Sequence, residues 1–259
     1  MLRWAIQSNL VNAADVEKLL AACRQHGQPA VTFETIPFSN QPPALDSGQP
    51  TVFYGSTSCM SNIWQVGKWS PGVFFDPQRF SFSEWGQAYG RHCLNGEARQ
   101  TTLAALAAES YGMDRLFFLR PIHDDKAFAG EVMAFGEIQK WVGELEQTML
   151  SPDTEILVAE PVGISHEWRL FMVDGKVSTG SHYRTRQRLD VYPGVPAEVA
   201  AFAQGLARLW QPAPVFVLDV ASSANQLYLV EINCFNSAGF YASEVAKLVG
   251  DVSRYVDGY

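Results

Sequence analysis

Three oxygen-bearing side chains interrupt two apolar runs late in the sequence. Asp219 sits in Val215-Phe-Val-Leu-Asp-Val220, and Glu231 and Asn233 sit in Leu227-Tyr-Leu-Val-Glu-Ile-Asn233. Both runs are rich in β-branched and aromatic residues and flank the polar stretch Ala221 to Gln226, so they read as a hairpin. Residues two apart on a strand share a face, so Glu231 and Asn233 project together and Asp219 can meet them from the neighbouring strand. Two carboxylates and an amide carbonyl are hard donors of the kind that hold Mg²⁺ carrying nucleotide phosphates. The same triad also suits a solvated polar strand face, and the choice rests on the rest of the chain.

Candidate cations lie upstream. Leu116-Phe-Phe-Leu-Arg-Pro121 reads as a buried strand that delivers Arg120 at its end, and His123-Asp-Asp-Lys-Ala-Phe-Ala-Gly130 follows as a loop carrying Lys126. A cation at a strand end and another on the next loop can grip polyphosphate. Equally, Arg120 can make a structural ion pair while Lys126 is solvated beside Asp124 and Asp125. Arg184, Arg186 and Arg188 alternate, so an extended backbone puts all three on one face. There they repel unless an anion joins them, or they guard an edge strand. Tyr54-Gly-Ser-Thr57 ends a strand in a turn that offers N–H groups to an anion if a helix starts there. It lacks the Gly-Lys-[Ser/Thr] ending of a P-loop. Four cysteines and five histidines show no ligand spacing, which argues against a zinc site or a disulfide framework. Cys234 reads as a packed thiol rather than a nucleophile.

The positioning elements alternate in type. Asn12 is suited to N-cap a helix that runs from Ala13 to His26 and stops at Gly27. Strands are expected at Ala30 to Ile36, from Thr51, and at Gly72-Val-Phe-Phe-Asp76, with a helix from near Ser83; this alternation describes a small α/β lobe. Alanine and leucine content favours helix over residues 98–111, ended by Gly112. Phe135, Ile138, Val142 and Leu145 predict another helix within 132–149. Strands follow at Glu155 to Val162 and Leu170 to Val173, and Asp174-Gly175 turns the second into its partner, Lys176 to Tyr183. Helices at 196–210 and Ser243 to Val256 enclose the opening hairpin and the loop Asn236-Ser-Ala-Gly-Phe-Tyr241.

Bulk properties narrow the class. The chain has 259 residues, 47% hydrophobic and 18% charged, which describes an ordered globular protein. Its net charge of −8 argues against a nucleic-acid-binding surface over the whole molecule. No apolar run approaches the roughly 20 residues of a membrane span. Met1-Leu-Arg-Trp-Ala-Ile-Gln7 turns polar too soon for a secretory leader, so a cytoplasmic protein is expected.

Taken in order, these pieces resemble the ATP-grasp superfamily over residues 98–259. The resemblance implies an α/β (α+β) fold in which two α+β subdomains, 98–155 and 156–259, grip ATP behind a small α/β lobe at 1–97. It implies Asp219, Glu231 and Asn233 as ligands of the Mg²⁺ ions, two in number, that bridge the ATP phosphates. Val158-Ala-Glu160-Pro161-Val162 looks like the hinge that receives adenine, and Glu167 falls at the spacing of the carboxylate that holds the ribose. Arg120 and Lys126, with Gly130 closing the small loop, match the phosphate-binding positions, and Arg169 would face the phosphates. Most relatives have Lys-Pro where this chain has Arg120-Pro121, which is similar to a short clade carrying arginine there. Arginine keeps the charge and grips two oxygens. Many ligases of the family place an arginine two residues before the first metal aspartate. Here that position is Val217, so Arg184 and Arg186 are the candidates to replace it. The implied activity is an ATP-dependent carboxylate–amine (or thiol) ligase that acts through an acyl phosphate on an amino acid, peptide or protein. A non-catalytic ATP sensor and a phosphotransferase stay open as alternatives, as does a homodimer.

Overall fold

The computed structural model describes residues 2–36, 41–122, 128–145 and 150–258. A parallel sheet opens the chain, built from β1 (Arg3–Gln7), β2 (Ala30–Phe33), β3 (Thr51–Tyr54) and β4 (Pro71–Gly72) in the order β2-β1-β3-β4. Helices α1 (Ala13–Gln25) and α2 (Thr57–Val66) accompany it. The central strand β1 was not among the expected elements, because Arg3 and Gln7 break its apolar run. Both are buried and satisfied: the Arg3 guanidinium donates to Thr51 Oγ1 and the Asp46 carbonyl, and Gln7 donates to Thr35 and Asn9. The strand expected from Gly72 stops at that glycine. Gly72 has φ of 69°, and a Cβ there would lie 2.7 Å from the Trp69 carbonyl. Phe74 turns instead into the core between this sheet and the last one.

After α3 (Phe82–Tyr89), an antiparallel sheet forms from β5 (Arg99–Thr102), β6 (Leu116–Pro121), β7 (Glu131–Ala134) and β8 (Glu155–Ala159), ordered β5-β8-β6-β7. Helices α4 (Leu103–Ala107) and α5 (Phe135–Gly143) pack on it through Leu103, Leu106, Phe135 and Ile138. Two helix expectations are corrected here. Residues 99–102 are strand, paired with β8, and Thr102 Oγ1 caps the short helix by accepting from the Ala105 N–H. The β-branched pair Thr101-Thr102 suits a strand end and a cap better than a helix interior. Residues 131–134 pair with β6, so the helix starts only at Phe135; residues 146–149 lie outside the described residues. Sheet partners, invisible to local propensity, decide both cases. The expected break at 155/156 also falls inside β8, a member of this sheet.

The third sheet is antiparallel, ordered β11-β10-β9-β12-β13, from β9 (His166–Val173), β10 (Lys176–Thr185), β11 (Arg188–Pro193), β12 (Val215–Ser223) and β13 (Gln226–Asn233). Ala224 and Asn225, with φ of 48° and 63°, make the tight turn of the hairpin that carries the acidic triad. Phe216, Leu218 and Val220 face helix α6 (Ala197–Leu209) and α3. Val215 and Val217 face the other way, into a core shared with β1, β3, α1 and the last helix, α7 (Val245–Asp257). The first sheet is thereby fused to the third by one continuous apolar core.

Asn236 is the polar part of that junction. It is fully buried, donates to the Phe53 carbonyl at 2.6 Å, and accepts from the Phe74 N–H at 2.8 Å. Asn236→Ala strands two buried backbone groups, so urea unfolding is expected to show a loss of about 2–4 kcal/mol. No helix among the described residues is long and apolar enough to cross a membrane.

Candidate functional site

Sheet register brings the chemistry together. Ser181, Arg169, Asp219 and Glu231 are successive Cα partners across β10, β9, β12 and β13, so they form one row on one face. The next row is Thr179, Phe171, Val217 and Asn233, which places Asn233 beside Glu231 on that face. This face forms the floor of a cavity of about 830 Å³, within the range of small-molecule sites. Phe118, Arg120 and Gly130 from the second sheet line the opposite side, with Val132, Val162 and Ile164.

Asp219 is buried, and Arg169 grips it with both arms: Nε donates to Oδ1 at 2.8 Å and Nη2 to Oδ2 at 2.6 Å. Parallel N–H···O bonds of this kind are the strong, orienting form of a guanidinium–carboxylate pair. Burial pushes the Asp219 carboxyl up to about 6, and the Arg169 charge and hydrogen bonds pull against it. Burial also works against the Arg169 cation, yet the charge and hydrogen bonds of Asp219 carry it above the ordinary guanidinium value. Asn233 Nδ2 donates to Glu231 Oε1 at 2.8 Å and reaches Asp219 Oδ2 at 3.4 Å, tying the triad together.

Arg120 stands where expected, at the end of β6. Its guanidinium donates to the Val230 carbonyl at 3.2 Å, lies 3.7 Å from Glu231 Oε2, and sits over the rings of Trp85 and Phe82. Stacking and the backbone acceptor fix the cation at the cavity wall. Lys126 lies outside the described residues. Glu167 lines the cavity but is buried, accepting from the Tyr183 hydroxyl at 2.8 Å and from Arg184 Nη1 at 3.3 Å.

Other expected residues stand apart. Glu160 is exposed and pairs with Arg115 at 2.6 Å; of the expected hinge residues, Val162 lines the cavity and Glu160 and Pro161 do not. Arg184 lines the cavity mouth, while Arg186 does not. The three alternating arginines do not share an extended face, because Arg186 and Gln187 turn the chain with φ of 45° and 68°. A helix does begin after Tyr54-Gly-Ser, and Ser56 Oγ caps it by accepting from the Cys59 N–H. That turn is committed to the loop after β13: Gly55 N–H donates to the Asn236 carbonyl and Tyr54 Oη to that of Ala238. Burial pushes the Cys59 thiol up to about 11 and the Cys23 and Cys93 thiols to about 12; all four cysteines are buried and free.

Sequence reasoning missed Tyr183 and Tyr241, both at the cavity wall. Their rings stack at 4.8 Å and 7°, and the Arg169 guanidinium lies against both. No spacing links residues 58 apart, and Phe240-Tyr241 looks like any aromatic loop.

The donor set fits a hard cation. Glu231 and Asn233 line the cavity with oxygens that Arg169 does not hold, and Asp219 adds the lone pairs its guanidinium partner leaves. Among the described residues no cluster of three His, Cys, Asp or Glu side chains could hold a metal, so the amide oxygen of Asn233 is the third donor.

Comparison with known proteins agrees with this geometry. Residues 67–252 match a family described as an ATP-grasp domain, the third family of its clade. The fold is similar to that of the D-cycloserine synthetase DcsG, with 14% identity, a TM-score of 0.65, and coverage of 99% of this chain and 100% of that one. It is similar to a D-alanine–D-alanine ligase from Bacillus anthracis at 10% identity and a TM-score of 0.58, covering 99% and 93% of the two chains. The ATP-grasp ligase PsnB, solved with a minimal precursor, Mg and ADP, shares 12% identity and a TM-score of 0.56 over 98% of each chain. No curated protein matches the sequence significantly. The family match begins ahead of residue 98 and takes in α3, whose Trp85 and Phe82 lie beneath Arg120. The α+β sheets that form the cavity and the matched residues together establish that this chain belongs to the ATP-grasp family.

Proposed function

We propose that the chain is an ATP- and Mg²⁺-dependent ligase that activates a carboxylate as its acyl phosphate and passes the acyl group to an amine. The observation that carries this reading is the continuous charged wall Arg120–Glu231–Asn233–Asp219–Arg169, in which cations and oxygen donors alternate along one side of the cavity. Phosphoryl transfer is catalysed mainly by positioning and by stabilising spread charge, and this wall offers both. Arg120, stacked and bonded to a backbone carbonyl, holds a fixed positive charge for the transferred phosphoryl group. Glu231, Asn233 and Asp219 would hold two Mg²⁺ ions, whose chemistry is to neutralise and bridge the nucleotide phosphates. Phe118, Val132, Val162 and Ile164 give the apolar end of the cavity that a purine base requires. Arg184, at the mouth, receives the acid substrate's carboxylate. Acids of this kind are consistent with relatives whose names specify D-alanine or a precursor peptide as substrate or bound partner.

The test is ADP release with Mg·ATP and a panel of amino acids and peptides. Acid- and amine-dependent ADP supports the ligase; nucleotide binding without turnover under any acceptor overturns it. One observation favours that second outcome, an ATP-binding module. Both Asp219 oxygens already accept from Arg169, and Val217 supplies no guanidinium. Glu167 gives a separate check on nucleotide binding. Glu167→Gln is expected to weaken ATP binding about tenfold, the effect of losing one charge-assisted bond. An unchanged affinity by calorimetry removes Glu167 from the ribose.

A further inference from the structure

Tyr241 is held in an unusual state for an aromatic side chain. Its backbone is left-handed, with φ of 49°, and the residue is neither glycine nor asparagine. Such conformations persist where surrounding contacts over-determine them, and they collect at functional sites. Contacts on both sides of the residue supply that determination here. Lys18 Nζ donates to the Tyr241 carbonyl at 3.0 Å, the Ser243 N–H closes onto the Phe240 carbonyl at 2.9 Å, and Arg169 Nη1 reaches the Gly239 carbonyl at 3.4 Å. This backbone geometry lays the Tyr241 ring almost parallel to that of Tyr183, at 4.8 Å and 7°. The Arg169 guanidinium carbon is then 5.1 Å from the Tyr241 centroid and 5.9 Å from that of Tyr183.

We infer that Tyr241 is a positioning residue for Arg169, and that the pair supplies the guanidinium which Val217 does not. Val217 is fully buried beside Phe171 and can contribute only packing. Arg169 enters from the neighbouring strand, as the direct register partner of Asp219. An arginine side chain has many rotamers, and a carboxylate alone fixes only its end. The two tyrosine rings close off the other side, exclude water from the ion pair, and leave one orientation of the guanidinium at the cavity floor. This inference rests on the ligase reading for its kinetic consequence but not for its structural one.

The experiment separates the two. The full chain is studied as wild type, Tyr241→Phe and Tyr241→Gly; glycine accepts the left-handed backbone without strain, so this variant removes the ring alone. In proton–nitrogen spectra the Arg169 Nε–H, identified by its loss in Arg169→Lys, should give a resolved, slowly exchanging signal in wild type and Tyr241→Phe. In Tyr241→Gly it should merge with the fast-exchanging arginine pool. The kcat for ADP release should fall about tenfold or more in Tyr241→Gly with KM for ATP within about twofold, and Tyr241→Phe should restore it. A protected Nε–H or an unchanged kcat in Tyr241→Gly overturns the inference. If wild type turns over no acceptor, the ligase reading fails, and the spectra alone decide whether Tyr241 positions Arg169.

Discussion

Glu231→Ala is expected to lower substrate-dependent ADP release roughly 10²–10³-fold, the usual cost of removing one preorganised charge-stabilising group. Glu231 is the part of the triad most available to a cation, with its side chain 37% exposed against 3% for Asp219. It is also the link between the two halves of the wall. Asn233 Nδ2 donates to one oxygen and Arg120 lies 3.7 Å from the other. The substitution therefore removes a ligand and unmoors Arg120 in a single step. The fold should tolerate the change. Arg120 keeps the Val230 carbonyl and its stacking on Trp85, and Asn233 keeps Asp219, so denaturant unfolding should move by no more than about 1–2 kcal/mol. Wild-type ADP production by this variant would remove the triad from the reaction. A variant that loses both activity and cooperative unfolding would instead assign Glu231 a structural role. Glu231→Gln refines the result, since it keeps the Asn233 acceptor and removes only the charge.

The triad and its hairpin were legible in the sequence because strand periodicity and turn chemistry are local. Glu231 and Asn233 share a face by their spacing, and Ala224-Asn225 makes the turn that the pattern required. Arg120 was legible for the same reason, as the polar end of an apolar run. What could not be read was which partner each charge takes. Arg169 was expected to face a phosphate, yet its register partner on the adjacent strand is Asp219. Glu160 was expected at an adenine edge, yet Arg115, far away in sequence, pairs with it at the surface. Arg186 lost its place beside Arg184 because two residues in left-handed conformations turn the chain between Arg184 and Arg188. Strands β1 and β5 escaped for a related reason, since each carries polar or alanine-flanked residues that only a sheet partner makes extended. Residues meet across the fold by register and by loop path, and a single chain shows neither until the sheets are assembled.

Arg169→Ala should be the most destabilising change in the wall, with an expected loss of about 3–5 kcal/mol in urea or guanidinium unfolding. The reason is burial rather than the strength of the pair. The side chains of Arg169 and Asp219 are 12% and 3% exposed, and the arginine accounts for both strong hydrogen bonds to the carboxylate. Removing it leaves Asp219 buried with only the long contact from Asn233, next to Glu231 and Glu167, whose charges already push its carboxyl upward together with burial. The double replacement Arg169→Leu with Asp219→Leu removes the charge together with its partner and fills the space with apolar volume. Its stability should lie within about 1–2 kcal/mol of wild type, because the pair's attraction is spent largely on its own desolvation. The two variants then separate stability from function: both should be inactive, and only the single one unstable. A loss under about 1 kcal/mol for Arg169→Ala would mean that water reaches Asp219 freely. In that event the cavity floor is a solvated surface, and the ordered guanidinium needed for charge stabilisation is not built into the fold.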